Sequence, residues 1–324
     1  VYSAGMGQLN LERARPMTLE NGAVWAGSRN VQADLRGFDG TQVRYAVGKG
    51  TFSPWRPYER RFDLTLGRKQ GAYAVRVQLR DARLVKSPIL GDGIKLDKTR
   101  PKLTKPRITI RQGGRVAASG KRVPTRSSIA AKDALSGLKI TSLKMRCGGK
   151  QVAVKSSTGP RLTLDAAMAR SGCSVNGAAK DAAGHIAKKS VSPKLGTIDV
   201  RRGSKSVKLS GPWKAEKDKN ALGRTLARTT SKGAQAKVTF RGQQFAVVAH
   251  RGPSGGRVKV IVDGKHVDTI DLYAGKSDDR RIVYVRNVPN GKPVDKLRST
   301  GPANANSTGR TAWLDGVVVL DRRK

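Results

Sequence analysis

From Phe240 to Gly275 the chain reads FRGQQFAVVAHRGPSGGRVKVIVDGKHVDTIDLYAG, a stretch that no helix accommodates. Val258, Val260 and Val262 alternate with Lys259 and Ile261, the period-two spacing of a half-buried strand. Asp263-Gly264 is a favoured hairpin dipeptide, and Val267, Ile270 and Leu272 continue on the return strand. Ahead of them, Phe245–Ala249 is a short apolar run with β-branched Val247 and Val248. Between the two lies Arg251–Gly256, RGPSGG, whose glycines and proline predict a loop exposed at a sandwich edge. Three adjoining strands joined by tight turns commit this region to antiparallel sheet.

The same punctuation extends along the whole chain. Its 37 glycines and 14 prolines are spread over 324 residues, and aromatic residues make up only 5%. Cores must therefore be thin and built from Val, Leu, Ile and Ala. That predicts an all-β protein made of several small sandwiches rather than one large α/β enzyme. No run approaches the roughly 20 apolar residues of a membrane-spanning helix. There is no signal-peptide pattern at the start, and the chain begins with Val1 rather than Met, which leads us to expect a processed product.

The net charge is +42, and it is not confined to a tail. Residues 101–196 alone carry 20 Lys and Arg against three Asp. Such a surface attracts polyanions: nucleic acid, anionic envelope polymers, acidic polysaccharide or anionic lipid. Lysine and arginine also solvate strand faces and block edge pairing, so charge alone identifies no site.

In chain order, residues 1–16 form an arm or linker in which Leu9 and Leu11 alternate. A first domain is expected over 17–100. Val31, Ala33 and Leu35 alternate, Phe38-Asp39-Gly40 reads as a turn, and Val43, Tyr45 and Val47 alternate again. Tyr73, Val75, Val77 and Leu79 share one face of GAYAVRVQLRD, and the unit closes on DGIKLDKTRP. These residues resemble the Ig-like, fibronectin-like repeats of secreted bacterial surface proteins. In such a repeat Trp55 and Tyr58 are expected to pack in the core rather than form a sugar-stacking platform.

Residues 101–196 read as a second such unit. Its CSVNGAAKDAAGH, Cys173–His185, resembles the penultimate strand and corner of bacterial Ig-like domains, with His185 where Asn is usual. Asn tolerates the left-handed backbone well, and His185 is expected to substitute for it there. Cys147 and Cys173 are the only cysteines, and the extracellular resemblance implies that they pair in one intradomain disulfide.

Residues 197–324 form a larger third domain. Gly211 and Trp213, GAQAKVTF, the stretch Arg251–Gly264, IDLY and the closing WLDGVVVL resemble the galactose-binding-like jelly-roll modules appended to secreted bacterial proteins. The resemblance implies a carbohydrate-binding-like module. Its candidate ligand contacts are His250, Arg251, Ser254, Tyr273 and Asp315. Tyr can stack on a sugar ring, Asp accepts from hydroxyls, and Arg pairs with an anionic substituent.

Catalytic patterns are lacking. The sequence contains no H-E-x-x-H, P-loop or G-x-G-x-x-G. Its four glutamates, Glu12, Glu20, Glu59 and Glu216, sit in polar surroundings. His250 and His266 could approach across a hairpin, without an evident third metal ligand. Asn306-Ser307-Thr308 fits a glycosylation sequon and is expected to be an ordinary loop.

The expectation is a non-catalytic secreted or cell-surface protein, without cofactor, that binds glycan or anionic envelope polymer. The Ig-like units would be spacers. The alternative is a structural subunit of an extracellular filament, surface layer or appendage, joined through edge strands and the N-terminal arm. Nucleic acid enters only as a non-specific polyanion.

Overall fold

The computed structural model describes residues 16–37, 40–200, 206–288, 294–301 and 305–321. The expected arm and the turn at Phe38-Asp39 lie outside them. The regular structure of the described residues is strand throughout apart from two single-turn 3-10 segments, Glu20–Gly22 and Leu222–Arg224. It divides into two compact units. One comprises Val1–Lys102, Lys132–Lys139 and Lys180–Ala187, and the other takes in Leu103–Ala131, Ile140–Ala179 and Lys188–Lys324.

The first unit is a β-sandwich. A three-stranded sheet, Met17–Leu19, Asn30–Leu35 and Arg61–Thr65, accompanies a five-stranded one. The latter runs Trp25–Ala26, Leu90–Leu96, Gly71–Arg80, Gln42–Val47, Arg56–Pro57. Alternation sends Val31, Ala33 and Leu35 from one sheet, and Val75, Val77 and Leu79 from the other, into a single core. Asp34 is also buried, and Arg60 and Arg61 hold it at 3.2 and 3.3 Å. Burial raises its pKa, but the hydrogen bonds and charges of the two arginines prevail and keep it below the usual carboxylate value.

Trp55 does not enter that core. Its ring lies between the guanidinium groups of Arg44 and Arg80, at 4.6 and 4.5 Å, while Phe52 lies between Arg44 and Arg76. Gln78 accepts from Arg44 at 2.6 Å and Gln42 from Arg80 at 2.5 Å. The result is an arginine–aromatic ladder across the outer face of the five-stranded sheet. Tyr58 packs against the core, as expected.

In the second unit, Arg107–Ile110, Arg122–Lys132 and Arg161–Ala169 form one sheet of a sandwich. Its other sheet is built on Lys150–Ser157, Leu138–Cys147 and Cys173–Asp181. Cys147 and Cys173 are disulfide-bonded. Two larger sheets follow. In one, Ala312–Asp321 and Gln244–Arg251 are neighbours, flanked by Thr225–Thr229 and Asp278–Asn287. In the other, Arg257–Val262 lies between Val294–Gly301 and the edge strand Lys265–Asp271. Phe245, Val247, Val260, Leu272 and Leu314 belong to the core these sheets enclose.

The first of these larger sheets is buried on both sides. Ala246, Val248, Ile282, Val318 and Leu320 point away from the enclosed core and join Ile108, Ile110, Leu143 and Met168 of the preceding sandwich in a second core. Backbone bonds reinforce the join. Gly113 donates to the Ile282 carbonyl at 2.8 Å, Ile282 to Gly114 at 2.9 Å, and Val116 to Arg280 at 3.0 Å. The edge of Asp278–Asn287 is thereby covered rather than left to pair elsewhere.

Candidate functional site

The glycine-rich segment after Gln244–Arg251 is not the exposed loop its composition predicts. Gly252, Gly255 and Gly256 are buried. A Cβ on Gly255 would lie 2.1 Å from the Leu272 carbonyl oxygen, and one on Gly256 would lie 2.5 Å from that of Arg310. The segment crosses from one sheet to the other, clamped between Leu272–Ala274 and Ser307–Thr311, and its glycines serve close backbone approach rather than turning in solvent. Ser307 takes part in the clamp, its hydroxyl donating to the Gly255 carbonyl at 2.8 Å.

Arg251 stands at the start of this crossing. Its Nη2 donates to the Tyr273 carbonyl at 2.6 Å, while its Nε is buried without an acceptor. The side chain lines an open pocket of about 310 Å³ between the edge strands Lys265–Asp271 and Asp278–Asn287. Asp268–Asp271, Arg281–Tyr284 and, from the preceding sandwich, Gln112 and Gly113 complete the lining. The Tyr284 ring packs on Phe245 at 5.8 Å, which fixes this wall to the core. The pocket therefore combines fixed cationic donors with carboxylate acceptors, the chemistry that holds a hydroxyl-rich ligand bearing negative charge.

The other predicted contacts are dispersed. Tyr273 contributes its backbone to Arg251, and its own N–H donates to Asp271 at 2.9 Å. The Ser254 carbonyl accepts from Thr311 at 2.8 Å in the clamp. Asp315 is completely buried. One of its oxygens accepts from the Leu222 N–H at 2.7 Å and the other has no partner. Burial pushes its pKa up to about 7, against the Leu222 hydrogen bond and with nearby Asp199 adding to the rise. A carboxyl so enclosed anchors the Leu222–Arg224 turn and does not meet a sugar at the surface.

His250 does not pair with His266, whose Nε2 lies 3.1 Å from the Thr269 hydroxyl. It sits edge-on to Trp313, ring centroids 4.7 Å apart, with Nδ1 2.5 Å from Asp279. Asp218, His250 and Asp279 each bring one ligand atom within 4.8 Å of the others, so the two carboxylates lay outside the expected histidine pair. Asp97, Asp133 and Asp181 converge equally closely in the first unit. There Asp97 accepts from Thr99 and Ser136, and these bonds outweigh burial to keep its pKa low. Asp181 accepts from both the backbone and Nδ1 of His185. His185 is not in the expected left-handed conformation, which Gly184 adopts at φ 98°. Its ring instead links Asp181 to the Gly27 carbonyl, 3.0 Å from Nε2.

No protein-family model matches the chain. No curated protein matches it either. Among solved structures it is similar to the CBM36-1 domain of a multidomain xylanase from the hindgut metagenome of Trinervitermes trinervoides, at 13% identity over 39% of this chain and 95% of that one, TM-score 0.28. It is also similar to fibronectin(III)-like modules of Clostridium thermocellum CbhA, at 14% identity over 54% and 90%, TM-score 0.35. A CBM35 from Cellvibrio japonicus Abf62 aligns at 9% identity over 40% and 99%, TM-score 0.30. At scores this low the likeness carries no argument about ligand or activity.

Proposed function

We propose that this chain is a non-catalytic, secreted or cell-surface binding protein that holds an anionic glycan or envelope polymer in the Arg251 pocket. The Ig-like regions act as its spacers. The observation that carries this reading is the Arg251 guanidinium, pinned by its bond to the Tyr273 carbonyl at the wall of an open polar pocket. A cation already held in place loses little freedom on binding, and a ligand carboxylate or phosphate oxygen would pair with it through charge-assisted hydrogen bonds. Arg281, Asp268 and Asp271 supply further contacts for charge and hydroxyls. The net charge of +42 draws polyanions to the surface, and the pocket selects among them.

Titration of the full chain with a uronate-bearing polysaccharide, a polyol-phosphate polymer, a neutral glucan and duplex DNA, each at low and high salt, tests the proposal. The expected result is saturable binding of one anionic glycan class that persists at high salt, while DNA binding collapses. Equal, steeply salt-dependent binding of every polyanion would refute it.

A further inference from the structure

The extension that follows Gly71–Arg80 carries a surface feature that the binding pocket does not explain. Leu84, Val85 and Ile89 are 60%, 64% and 54% exposed, three large aliphatic side chains within six residues. The backbone beneath them is fixed. Asp81 and Ser87 exchange hydrogen bonds with their neighbours: Asp81 N–H to the Val85 carbonyl at 3.1 Å, Val85 N–H to the Asp81 carboxylate at 2.9 Å, and Ser87 N–H to the Leu79 carbonyl at 2.9 Å. Leu84 itself has φ 63°, the left-handed region that a bulky side chain enters rarely and that Gly or Asn would occupy without strain. A strained leucine turned into solvent gains nothing from the fold around it. Arg83 and Lys86 flank the apolar tip and are exposed, whereas the one acid of the turn, Asp81, is engaged by Val85.

We infer that this hairpin is a lipid-insertion tip, seating Leu84, Val85 and Ile89 in the interface of an anionic bilayer while Arg83 and Lys86 pair with headgroup phosphates. A stable protein partner needs about 800 Å² on each side, far more than a projecting tip of three side chains supplies. An interfacial lipid contact needs only a few aliphatic groups with cations at headgroup level. The inference is independent of the glycan pocket.

A +42 protein adsorbs to any anionic vesicle, so the test must read the tip itself. Leu84→Cys in the full chain introduces the one free thiol, since both native cysteines are disulfide-bonded, and takes a polarity-sensitive fluorophore. On phosphatidylglycerol–phosphatidylcholine vesicles the probe should shift to the blue and be quenched by nitroxides at shallow depth. The same probe at Val24→Cys, 62% exposed in the native protein, should stay aqueous. Leu84→Ser with Val85→Ser should lower the salt-resistant part of vesicle binding by about tenfold or more. Arg83→Gln with Lys86→Gln should lower the low-salt part while circular dichroism stays native. A vesicle-bound protein whose residue-84 probe remains aqueous would overturn the inference, as would dehydration of that probe by self-association without lipid.

Discussion

Asp97 in the first unit and Asp315 in the second are both wholly buried carboxyls, and their environments drive them in opposite directions. Asp97 accepts from the backbone and hydroxyl of Thr99 and from Ser136, enough donors to hold it ionised. Asp315 receives a single N–H, from Leu222, and burial wins. The sheets differ in the same way. The five-stranded sheet of the first unit buries one face and dresses the other with arginine and aromatic side chains. The sheet that carries Asp315 buries both, one in the core it encloses and one against the preceding sandwich. Each case is decided by how densely the group is enclosed together with the supply of partners.

The largest expected effect follows from the doubly buried sheet. A fragment of residues 197–324 would bare Ala246, Val248, Ile282, Val318 and Leu320, and should lack native side-chain dispersion by NMR. A folded, monodisperse fragment would break the comparison. Within the full chain, Val248→Asp places an unpaired charge in the shared core and should cost more than about 4 kcal/mol in urea unfolding, whereas Ala74→Asp, on the exposed face in the first unit, should stay within about 0.5 kcal/mol. Replacing Cys147 and Cys173 by Ser should cost about 3 kcal/mol through the freed unfolded chain.

The carboxyls give opposite pH dependences. Between its ordinary value of 3.8 and about 7, Asp315 loses its proton when unfolded but keeps it when folded, so its contribution falls as pH rises through that window. The limiting slope is about 1.4 kcal/mol per pH unit. Asp315→Asn should flatten that slope, keeping the oxygen that accepts from Leu222. Asp97, whose pKa is lowered, contributes stability above its unfolded value and loses it as pH falls through its folded one, so Asp97→Asn should flatten the acid limb instead. Unfolding curves across pH for the two variants check both signs.

Much of this architecture could be read from residue order. The alternation at Val75, Val77 and Leu79, and at Val258, Val260 and Val262, marks faces that are indeed buried. The runs Phe245–Ala249 and Gly316–Leu320 also carried the sign of a sheet covered twice, because they are apolar without alternation. What covers the second face lies more than a hundred residues away, at Ile108 and Ile110, and no local pattern links them. The site was harder to see. Arg251 is recognisable as a loop cation, but Asp268 and Arg281 sit in strands where charge reads as an ordinary solvated face. Asp315 looked like a surface acceptor because its burial depends on the distant Leu222 turn.

Calorimetric titration of Arg251→Lys against the native chain, with an anionic glycan at high salt, is the most direct test of the proposed site. Lysine keeps the charge but removes the Nε–H and the planar fork. If the pocket binds as proposed, affinity falls about tenfold or more while circular dichroism and low-salt adsorption to DNA stay unchanged. Identical glycan affinity in the two proteins would contradict it, leaving net charge as the sole attraction.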